Sequence, residues 1–299
     1  MAAHVLLTGA GGLVGRAVAA RLRETGITFT GIDTARCHPG DRDSVECDVR
    51  DIHRLHELVI DRCITGIIHC GAYSGPMLGA DIPGSVVAVN VRGTTNLLEL
   101  ARIHALTRFV FCSSVSAVGP TEKPCGEDVM LHPTTIYGAT KAACEHLIAA
   151  YGESYGIETV CLRLAAVWGP NRATVCALGT MIKDAVAKRE TRFERGGDFP
   201  TQYLHVDDAA EAIFLALTAN TLPQRVYNIA GESAMTLSDV ADKVRAALPN
   251  ARIEIGPGGD PMYDWQEEFL ITAARRDLGF EPRVRMEDRI RAFAQAVSA

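Results

Sequence analysis

The N-terminus combines a short apolar run, a glycine-rich turn and an amphipathic helix, and this feature limits the possible folds more than any other. The apolar run 5–8 leads directly into the glycine-rich turn 9–15. Val14, Val18 and Leu22 then recur at helical spacing. Glycines let the backbone approach a pyrophosphate closely, and a helix N-terminus offers free N–H groups and a positive dipole end. The segment therefore predicts a strand, turn and helix that bind a dinucleotide.

The glycines have the spacing Gly-x-x-Gly-x-x-Gly rather than Gly-x-Gly-x-x-Gly. An ordinary glycine-rich turn is the alternative, but the strand before it and the helix after it favour a cofactor site. The predicted cofactor-binding residues of this turn are Gly9, Gly12, Leu13, Val14 and Gly15.

A second apolar run, 28–32, ends at Asp33. A carboxylate at the end of the second strand can hydrogen-bond the adenosine ribose hydroxyls and repel a 2′-phosphate, which favours NAD over NADP. Arg36 weakens this preference, since a nearby arginine is what a 2′-phosphate requires. A simple turn residue is the alternative interpretation of Asp33.

Tyr137 and Lys141 are four residues apart, so on a helix both side chains project from one face. An ammonium beside a phenol favours the phenolate. A hydroxyl that can lose a proton is what carbonyl–alcohol interconversion requires of a protein. Ser114, which follows the apolar run 109–112, completes a candidate catalytic set. The Tyr-x-x-x-Lys spacing is weak evidence alone, and its weight comes from the N-terminal glycine turn.

Strand-like and helix-like runs alternate as far as about residue 190. Short apolar strands separated by helices imply parallel strands joined by right-handed crossovers. We therefore predict an α/β fold, a Rossmann-type doubly wound parallel sheet. Predicted helices cover 51–62, 89–104 and 135–155, and predicted strands cover 66–69, 109–112 and 159–164.

The pattern loosens after residue 165, where glycine and proline pairs break it into short pieces. We predict that 1–165 form an NAD-binding Rossmann core and that 166–299 form mainly a smaller C-terminal substrate lobe. Segments at about 203–230 are expected to return to the core, including a strand at 226–229.

Composition excludes several classes of function. The 299 residues carry a formal net charge of −6, and no basic cluster is arranged to bind nucleic acid. The nine cysteines contain no Cys-x-x-Cys pair, so we predict no metal site, and free thiols in this number suit a reducing cytoplasm. No apolar stretch approaches the ~20 residues of a membrane span. The first residues lead straight into a strand, so we expect no signal peptide.

Motifs along nearly the whole chain resemble the extended short-chain dehydrogenase/reductase family, also called the NAD-dependent epimerase/dehydratase family. The matching segments follow family order, which makes the set far more specific than any single motif. They are 8–15, 48–49, 69–72, 90–94, 113–114, 137–141, 169–170, 205–208 and 227–229.

The resemblance implies a role for each matching residue. Tyr137 would be the general acid/base, Lys141 would bind the nicotinamide ribose and favour the phenolate, and Ser114 would hydrogen-bond the substrate oxygen. Further cofactor contacts are implied for Asp48 and Val49 at the adenine and for Gly71, Ala72 and Asn90. Substrate contacts are placed by analogy, each with a plain structural alternative, at Ser74, Gly75, Met77, His132, Thr135, Trp168, Arg172 and Tyr203.

Departures from the family pattern narrow the reaction. The Thr-Asp-Glu set of the family's dehydratases is replaced by 113–115, Ser-Ser-Val, which argues against dehydration. Two residues that bind nucleotide sugars in many epimerases, an Asn and an Arg, correspond to Ala166 and Thr201 here. A diphosphate normally requires Arg or Lys, so a nucleotide-sugar substrate is disfavoured without being excluded. The arginines that remain for a carboxylate or phosphate are Arg172, Arg192 and Arg195.

We therefore predict an NAD-dependent dehydrogenase acting on a hydroxyl of a small polar substrate, such as a sugar, a sugar acid or a hydroxy acid. The alternative is a nucleotide-sugar 4-epimerase with tightly bound NAD. A cofactor-binding regulator without catalysis is a third class, which the intact Tyr137 and Lys141 disfavour.

The family often forms homodimers through two helices that here correspond to 89–104 and 135–155. Apolar residues on these helices would form the core of such an interface, or they could face the sheet instead. They are Leu97, Leu98, Leu147 and Ile148.

Overall fold

The structure is a computed structural model that describes residues 4–35, 43–260 and 262–298. Arg36, which bears on the choice between NAD and NADP, lies outside these ranges. The strands are β1 His4–Thr8, β2 Thr28–Asp33, β3 Ser44–Glu46, β4 Gly66–His69, β5 Arg108–Ser114, β6 Glu158–Leu164, β7 Ala166–Trp168, β8 Glu190–Phe193, β9 Pro200–His205, β10 Val226–Ile229, β11 Ala234–Thr236 and β12 Arg252–Ile255. The α-helices are α1 Leu13–Thr25, α2 Ile52–Asp61, α3 Pro83–Val87, α4 Gly93–Ile103, α5 Ile136–Tyr155, α6 Ala177–Val186, α7 Val206–Thr218, α8 Leu237–Ala247 and α9 Met286–Ser298.

The central sheet has seven parallel strands in the order β3-β2-β1-β4-β5-β6-β10. From β1 the chain first winds outward to β2 and β3, then returns to the other side of β1 with β4. The strand order therefore reverses between β1 and β4, and a crevice opens at their carboxyl ends. The predicted α/β class and the doubly wound parallel sheet are confirmed.

Helices cover both faces of the sheet, which explains why its strands are apolar on both sides. Leu7 packs in the core that α1 and α7 form on one face, while Leu6 packs in the core that α2, α4 and α5 form on the other. Both side chains are fully buried. Because successive side chains of β1 are buried on opposite faces of the sheet, the register of this strand is fixed. Its carboxyl end lies at the crevice.

The predicted helix at 89–104 begins differently from an ordinary α-helix. A π-helical turn, Ala88–Arg92, follows α3 and continues into α4. Of the residues considered for a dimer core, Leu97, Leu98 and Ile148 are at most 1% exposed and pack against the sheet. They belong to the interior because the inner faces of α4 and α5 cover β4, β5 and β6, so they cannot form an interface.

The second half of the chain builds a smaller lobe and also returns to the first. A three-stranded sheet, β7-β9-β11, and a two-stranded sheet, β8-β12, pack near α6, α8 and α9 around a separate apolar core. Between β9 and β11 in the chain, α7 packs on α1, and β10 pairs with β6 so that Val226 lies opposite Cys161. The chain thus passes from the smaller lobe back to the large sheet at α7 and β10. The boundary at 165/166 stays a prediction.

Among the residues that the structure describes, no helix is both long and apolar enough to cross a membrane.

Candidate active site at the carboxyl ends of the strands

A cleft of about 1180 Å³ lies between the carboxyl edge of the large sheet and the smaller lobe. It runs from the glycine-rich turn, past Ser114 and Tyr137, to the short strands of the smaller lobe. All of the predicted site residues line this cleft except Asp48, Val49, Asn90, His132 and Thr135. Within the described ranges, no cluster of three or more His, Cys, Asp or Glu side chains could hold a metal ion.

The glycine-rich turn forms one end of the cleft. At Gly9 and Gly15 the surrounding backbone leaves no room for a side chain. Gly9 has φ = 68°, and a Cβ there would lie 2.7 Å from the backbone nitrogen of Gly71. A Cβ on Gly15 would lie 2.0 Å from the carbonyl oxygen of Gly9. Gly12 is the N-cap of α1 and provides no side-chain acceptor, so the first N–H groups of the helix remain for an anion. This end of the cleft fits the pyrophosphate of a dinucleotide.

Asp33 borders the same end and is held in place by the backbone. Its Oδ2 accepts a hydrogen bond from the backbone N–H of Gly11 at 2.9 Å, and its Oδ1 accepts one from that of Thr34 at 2.8 Å. The carboxylate therefore lies at the end of β2 against the glycine turn, where ribose hydroxyls would reach it. Its negative charge opposes a 2′-phosphate, in agreement with NAD.

A buried hydrogen-bonded chain joins β1, β4 and α4 beneath the cleft. Thr8 Oγ1 is 2.6 Å from His69 Nδ1, and His69 Nε2 is 3.0 Å from Thr94 Oγ1. Thr8 Oγ1 also accepts from the backbone N–H of Gly71 at 3.0 Å. Burial, assisted by the charge of Lys141, lowers the pKa of His69 to about 3. The imidazole is therefore neutral and links the ends of two neighbouring strands where Gly71 lines the cleft.

Asn90, predicted to contact the cofactor, does not line the cleft and is hydrogen-bonded to protein groups next to it. Its Oδ1 accepts from the backbone N–H of Tyr73 at 2.8 Å, and its Nδ2 donates to the Tyr73 carbonyl at 3.1 Å and to Thr140 Oγ1 at 3.0 Å. All three bonds are to protein groups, and the side chain is 2% exposed. Asn90 thus ties the loop after Gly71 to the helix that carries Tyr137.

Two other predicted contacts also have structural partners. The Asp48 carboxylate accepts from the backbone N–H of Arg50 at 2.8 Å and from its guanidinium at 2.7 Å. This arginine lowers the pKa of Asp48. Val49 is buried against Gly93, where a Cβ would lie 2.5 Å from Val49 Cγ2. Both residues thus have packing or ion-pair roles outside the cleft lining.

Thr135 acts as the N-cap of the helix that carries the candidate catalytic residues. Its Oγ1 accepts from the backbone N–H of Gly138 at 3.0 Å, which satisfies one of the free donors at the start of α5. Thr135 therefore starts α5 just before Tyr137, and its predicted substrate contact stays a prediction.

Tyr137 and Lys141 lie on one face of α5, as their spacing predicts, and both are buried at the floor of the cleft. Lys141 Nζ donates to the carbonyl oxygen of Cys112 at 2.6 Å and lies 4.5 Å from the centre of the Phe111 ring. It is 5.9 Å from the centre of the Tyr137 ring. The remaining Lys141 N–H groups can bind the hydroxyls of a ligand.

Ser114 ends β5 opposite these residues, and a residue far along the chain holds its loop. Ser114 Oγ accepts from the backbone N–H of Ser116 at 3.1 Å. Gln266 Nε2 donates to the carbonyl oxygens of Val115 at 2.9 Å and Gly119 at 2.8 Å. Sequence reasoning missed Gln266, because it lies in an irregular segment with no periodicity or motif to identify it.

The other end of the cleft presents a cation toward the substrate space. The Arg172 guanidinium donates from Nε to Thr174 Oγ1 at 2.8 Å and from Nη1 to the carbonyl oxygen of Val167. Among the described residues, its Nη2 has no protein partner. Arg195 also lines the cleft but is exposed. Arg192 does not line it and pairs with Glu254, so the possibility that Arg192 binds the substrate is wrong.

Three aromatic side chains, Trp168, Tyr203 and Tyr263, line the cleft together with Arg172. Burial raises the pKa of Tyr203 well above its usual value, so its hydroxyl stays a hydrogen-bond donor. Trp168 is buried and packs edge-on against His205, with ring centres 4.8 Å apart. Tyr263 extends across the opening, where its hydroxyl is 3.9 Å from the sulfur of Met77. The substrate space is thus a partly closed pocket with one preorganised guanidinium.

Comparison with known proteins identifies the family of this chain. The model of the NAD-dependent epimerase/dehydratase family matches residues 5–230. The chain is 29% identical to a UDP-glucose 4-epimerase of Corynebacterium glutamicum, over 93% of this chain and 90% of that protein.

Solved structures show the same fold. The UDP-glucose 4-epimerase of Thermus thermophilus in complex with NAD has a TM-score of 0.88 at 24% identity and covers 98% of each chain. The L-threonine dehydrogenase of Phytophthora infestans has a TM-score of 0.89 at 22% identity and covers 99% of each chain. At these identities the structures establish the fold alone.

Proposed function

Because the chain belongs to the NAD-dependent epimerase/dehydratase family, we propose that it is an NAD-dependent dehydrogenase acting on a hydroxyl of a small carboxylic acid, such as a sugar acid or a hydroxy acid. The observation that carries the substrate class is the Arg172 guanidinium. It is fixed by two hydrogen bonds, its Nη2 has no partner among the described residues, and Arg172 lines the same cleft as Tyr137.

The residues of the cleft provide the protein's part of the reaction. Tyr137 accepts the proton of the substrate hydroxyl, Lys141 stabilises the phenolate, and Ser114 donates a hydrogen bond to the same substrate oxygen. The bound nicotinamide supplies the acceptor for the hydride that leaves the carbon. The buried position of Lys141 strengthens its effect, since few waters screen the charge.

NAD would bind along the large sheet. The turn at 9–15 and the start of α1 would hold the pyrophosphate, Asp33 would bind the adenosine ribose, and Gly71 and Ala72 would line the path toward Lys141. These assignments rest on the close backbone approach at Gly9 and on the anchored Asp33 carboxylate.

The substrate end is poorly equipped for a nucleotide diphosphate. Thr201 lines the cleft without a charge, and Ala166 offers no amide. The neighbouring Gln202 is buried and uses its amide on the backbone of Gly231 and Phe269. A diphosphate would have to rely on Arg172 and the exposed Arg195, whereas one carboxylate matches one planar guanidinium.

A nucleotide-sugar 4-epimerase is the second candidate, because the matched relative from Corynebacterium glutamicum is one. In that reaction the same Tyr137 and Lys141 would serve a transient oxidation, and the hydride would return to the substrate. It predicts cofactor that survives purification and no net reduction of added NAD.

The deciding experiment measures NADH absorbance with purified protein, NAD and a panel of sugar acids, hydroxy acids and neutral sugars. We expect turnover with acids, and loss of most kcat/KM in an Arg172→Gln variant through a raised KM. Arg192→Gln is the matched control, since Arg192 lies in the same lobe outside the cleft. Interconversion of a UDP-sugar without NADH formation would replace this proposal by the epimerase.

We also propose that the protein is a cytoplasmic homodimer. The outer face of α5 is accessible at Ala139, Ala143 and Ala150, and Val87 on α3 is 45% exposed. The three alanines would allow the α5 helices of two copies to pack closely, with the exposed Val87 beside them. The cysteines of the described ranges are free thiols, which suits a reducing compartment. Sedimentation at a monomer mass would refute the dimer.

A further inference from the structure

Two cysteines meet at the floor of the cleft, where the proposed chemistry does not use them. The Sγ atoms of Cys70 and Cys112 are 3.3 Å apart, and both residues line the cleft. Cys70 directly follows β4, and Cys112 lies on β5. The register of the parallel pair places His69 opposite Phe111, so the two cysteines are the next neighbours across the strands.

We propose that Cys70 and Cys112 form an oxidisable dithiol site, which a low-molecular-weight disulfide converts to a disulfide bond between β4 and β5. Neighbouring strands lie about 4.8 Å apart, which is within the range of about 4.4–6.8 Å between Cα atoms of disulfides. Bond formation therefore requires the two sulfurs to approach from 3.3 Å to bonding distance, with little movement of the strands.

The contacts of the other described cysteines distinguish this pair from them. Cys144 is buried and donates to the carbonyl oxygen of Asn90, and Cys176 caps α6. Cys63 is exposed, and its thiol contacts the carbonyl oxygen of Ile60. Within the described ranges, only Cys70 and Cys112 have a thiol–thiol contact.

The oxidation proceeds in two exchange steps. Cys70 is half-buried and Cys112 is 6% exposed, so Cys70 reacts first with the small disulfide. Its thiolate attacks one sulfur of the small disulfide, forming a mixed disulfide and releasing one small thiol. The Cys112 thiolate then attacks the Cys70 sulfur and releases the second small thiol. Two protons and two electrons pass from the protein to the small disulfide, which ends as two thiols.

The resting state is the dithiol. The hydrogen bond with Cys112 and burial raise the pKa of Cys70 well above its usual value, so the Cys70 thiol is protonated near neutrality. The carbonyl oxygen of Cys112 is also the acceptor of the Lys141 ammonium. A small shift of Cys112 on forming the disulfide would move the carbonyl oxygen that anchors Lys141, so we expect oxidation to lower NADH affinity and turnover together.

The test uses reduced, desalted protein and bis(2-hydroxyethyl) disulfide, with and without NAD. Peptide mapping after alkylation is expected to show Cys70 linked to Cys112. NAD at ten times its Kd should slow this link about tenfold, because the cofactor would cover both thiols. These readouts require no substrate, so they stay informative if the proposed dehydrogenase activity fails.

Variants separate the pair from general thiol chemistry. Cys112→Ala should stop at a mixed disulfide on Cys70, while Cys144→Ala should form the link at the wild-type rate. Far-UV circular dichroism checks that each variant is folded. The proposal is overturned if Cys63 reacts and no Cys70–Cys112 peptide forms, or if NAD leaves the rate of the link unchanged.

Discussion

Glu145 on α5 and Arg163 on β6 form a buried ion pair. Arg163 Nη2 lies 2.8 Å from Glu145 Oε2, and neither side chain is more than 4% exposed. Glu145 follows Lys141 by one helical turn on α5, and Ser113 Oγ donates to its Oε1 at 2.5 Å. The pair therefore ties α5 to β5 and β6 and sets the position from which Tyr137 and Lys141 project into the cleft.

We predict that Arg163→Met lowers the free energy of unfolding by about 3–5 kcal/mol, because it leaves the Glu145 carboxylate buried without its partner. Urea unfolding measures the change. Arg54→Ala is the control, since Arg54 pairs with Glu57 on the exposed face of α2 and should change the free energy of unfolding by less than about 1 kcal/mol. Equal effects of the two substitutions would contradict the prediction.

Tyr137→Phe should reduce kcat by about 10²–10⁴-fold, the usual range for loss of a general acid/base, while NADH binding stays near wild type. The ring stays in place, since the hydroxyl is the only group removed. Stopped-flow absorbance measures turnover, and NADH fluorescence measures binding. A variant with wild-type turnover would instead support a non-catalytic role for the cleft.

Gln266→Leu should lower kcat several-fold and leave the KM for NAD unchanged. Its amide holds the carbonyl oxygens of Val115 and Gly119, so its loss frees the loop that positions Ser114. Each lost hydrogen bond should also cost about 1 kcal/mol of stability. Gln295→Leu, on the exposed face of α9, is the matched control. A change in stability without a change in kcat would show that Gln266 has only a structural role.

Asp33→Asn should shift the cofactor preference toward NADP by about tenfold or more in the ratio of kcat/KM values. The amide still fits the site near the Gly11 N–H, but the negative charge that opposes a 2′-phosphate is gone. Initial rates with the two cofactors measure the ratio. An unchanged ratio would mean that another residue selects the cofactor.

His69 should make the protein less stable in acid. Its pKa is about 3 in the folded chain, against about 6.5 when unfolded, so between these values the unfolded chain binds a proton that the folded chain does not. The stabilisation is complete above pH ~6.5 and is lost as the pH falls toward ~3, by up to about 1.4 kcal/mol per pH unit. Urea unfolding at several pH values should show a shallower slope in His69→Asn.

His146→Asn is the control for this pH series, because His146 lies on the exposed face of α5. It should retain the wild-type slope between pH 6 and pH 4. His205 also contributes to that slope, since burial lowers its pKa to about 4, so His69→Asn should reduce the slope without abolishing it. Identical slopes in all three proteins would contradict the role of His69.

Local pattern was enough to predict the parts of the site that depend on neighbours in the chain. Gly9 has a positive φ and a Cβ on Gly15 would meet the carbonyl oxygen of Gly9, and the spacing of Tyr137 and Lys141 needs only a helix. Each of these features repeats a short-range rule of backbone geometry, so a single sequence reveals it.

Long-range polar pairing could not be predicted in the same way. Nothing in the sequence shows that Gln266 reaches the loop after Ser114 or that Arg163 meets Glu145. Asn90 and Thr135 carry the right chemistry for ligand contacts, yet the fold uses both on backbone groups. Which partner a polar side chain finds depends on packing between elements far apart in the chain, and periodicity carries no information about that.

The return of the chain from the smaller lobe has a consequence for how such a protein can be divided or recombined. A fragment that stopped at residue 165 would expose the edge of β6, where β10 now pairs, and would uncover the face of α1 that α7 shields. Neither half could serve as an exchangeable cassette. A chimera with a new specificity would have to exchange the parts of the smaller lobe that precede and follow 206–229. It would have to keep 206–229 from the protein that supplies the large sheet.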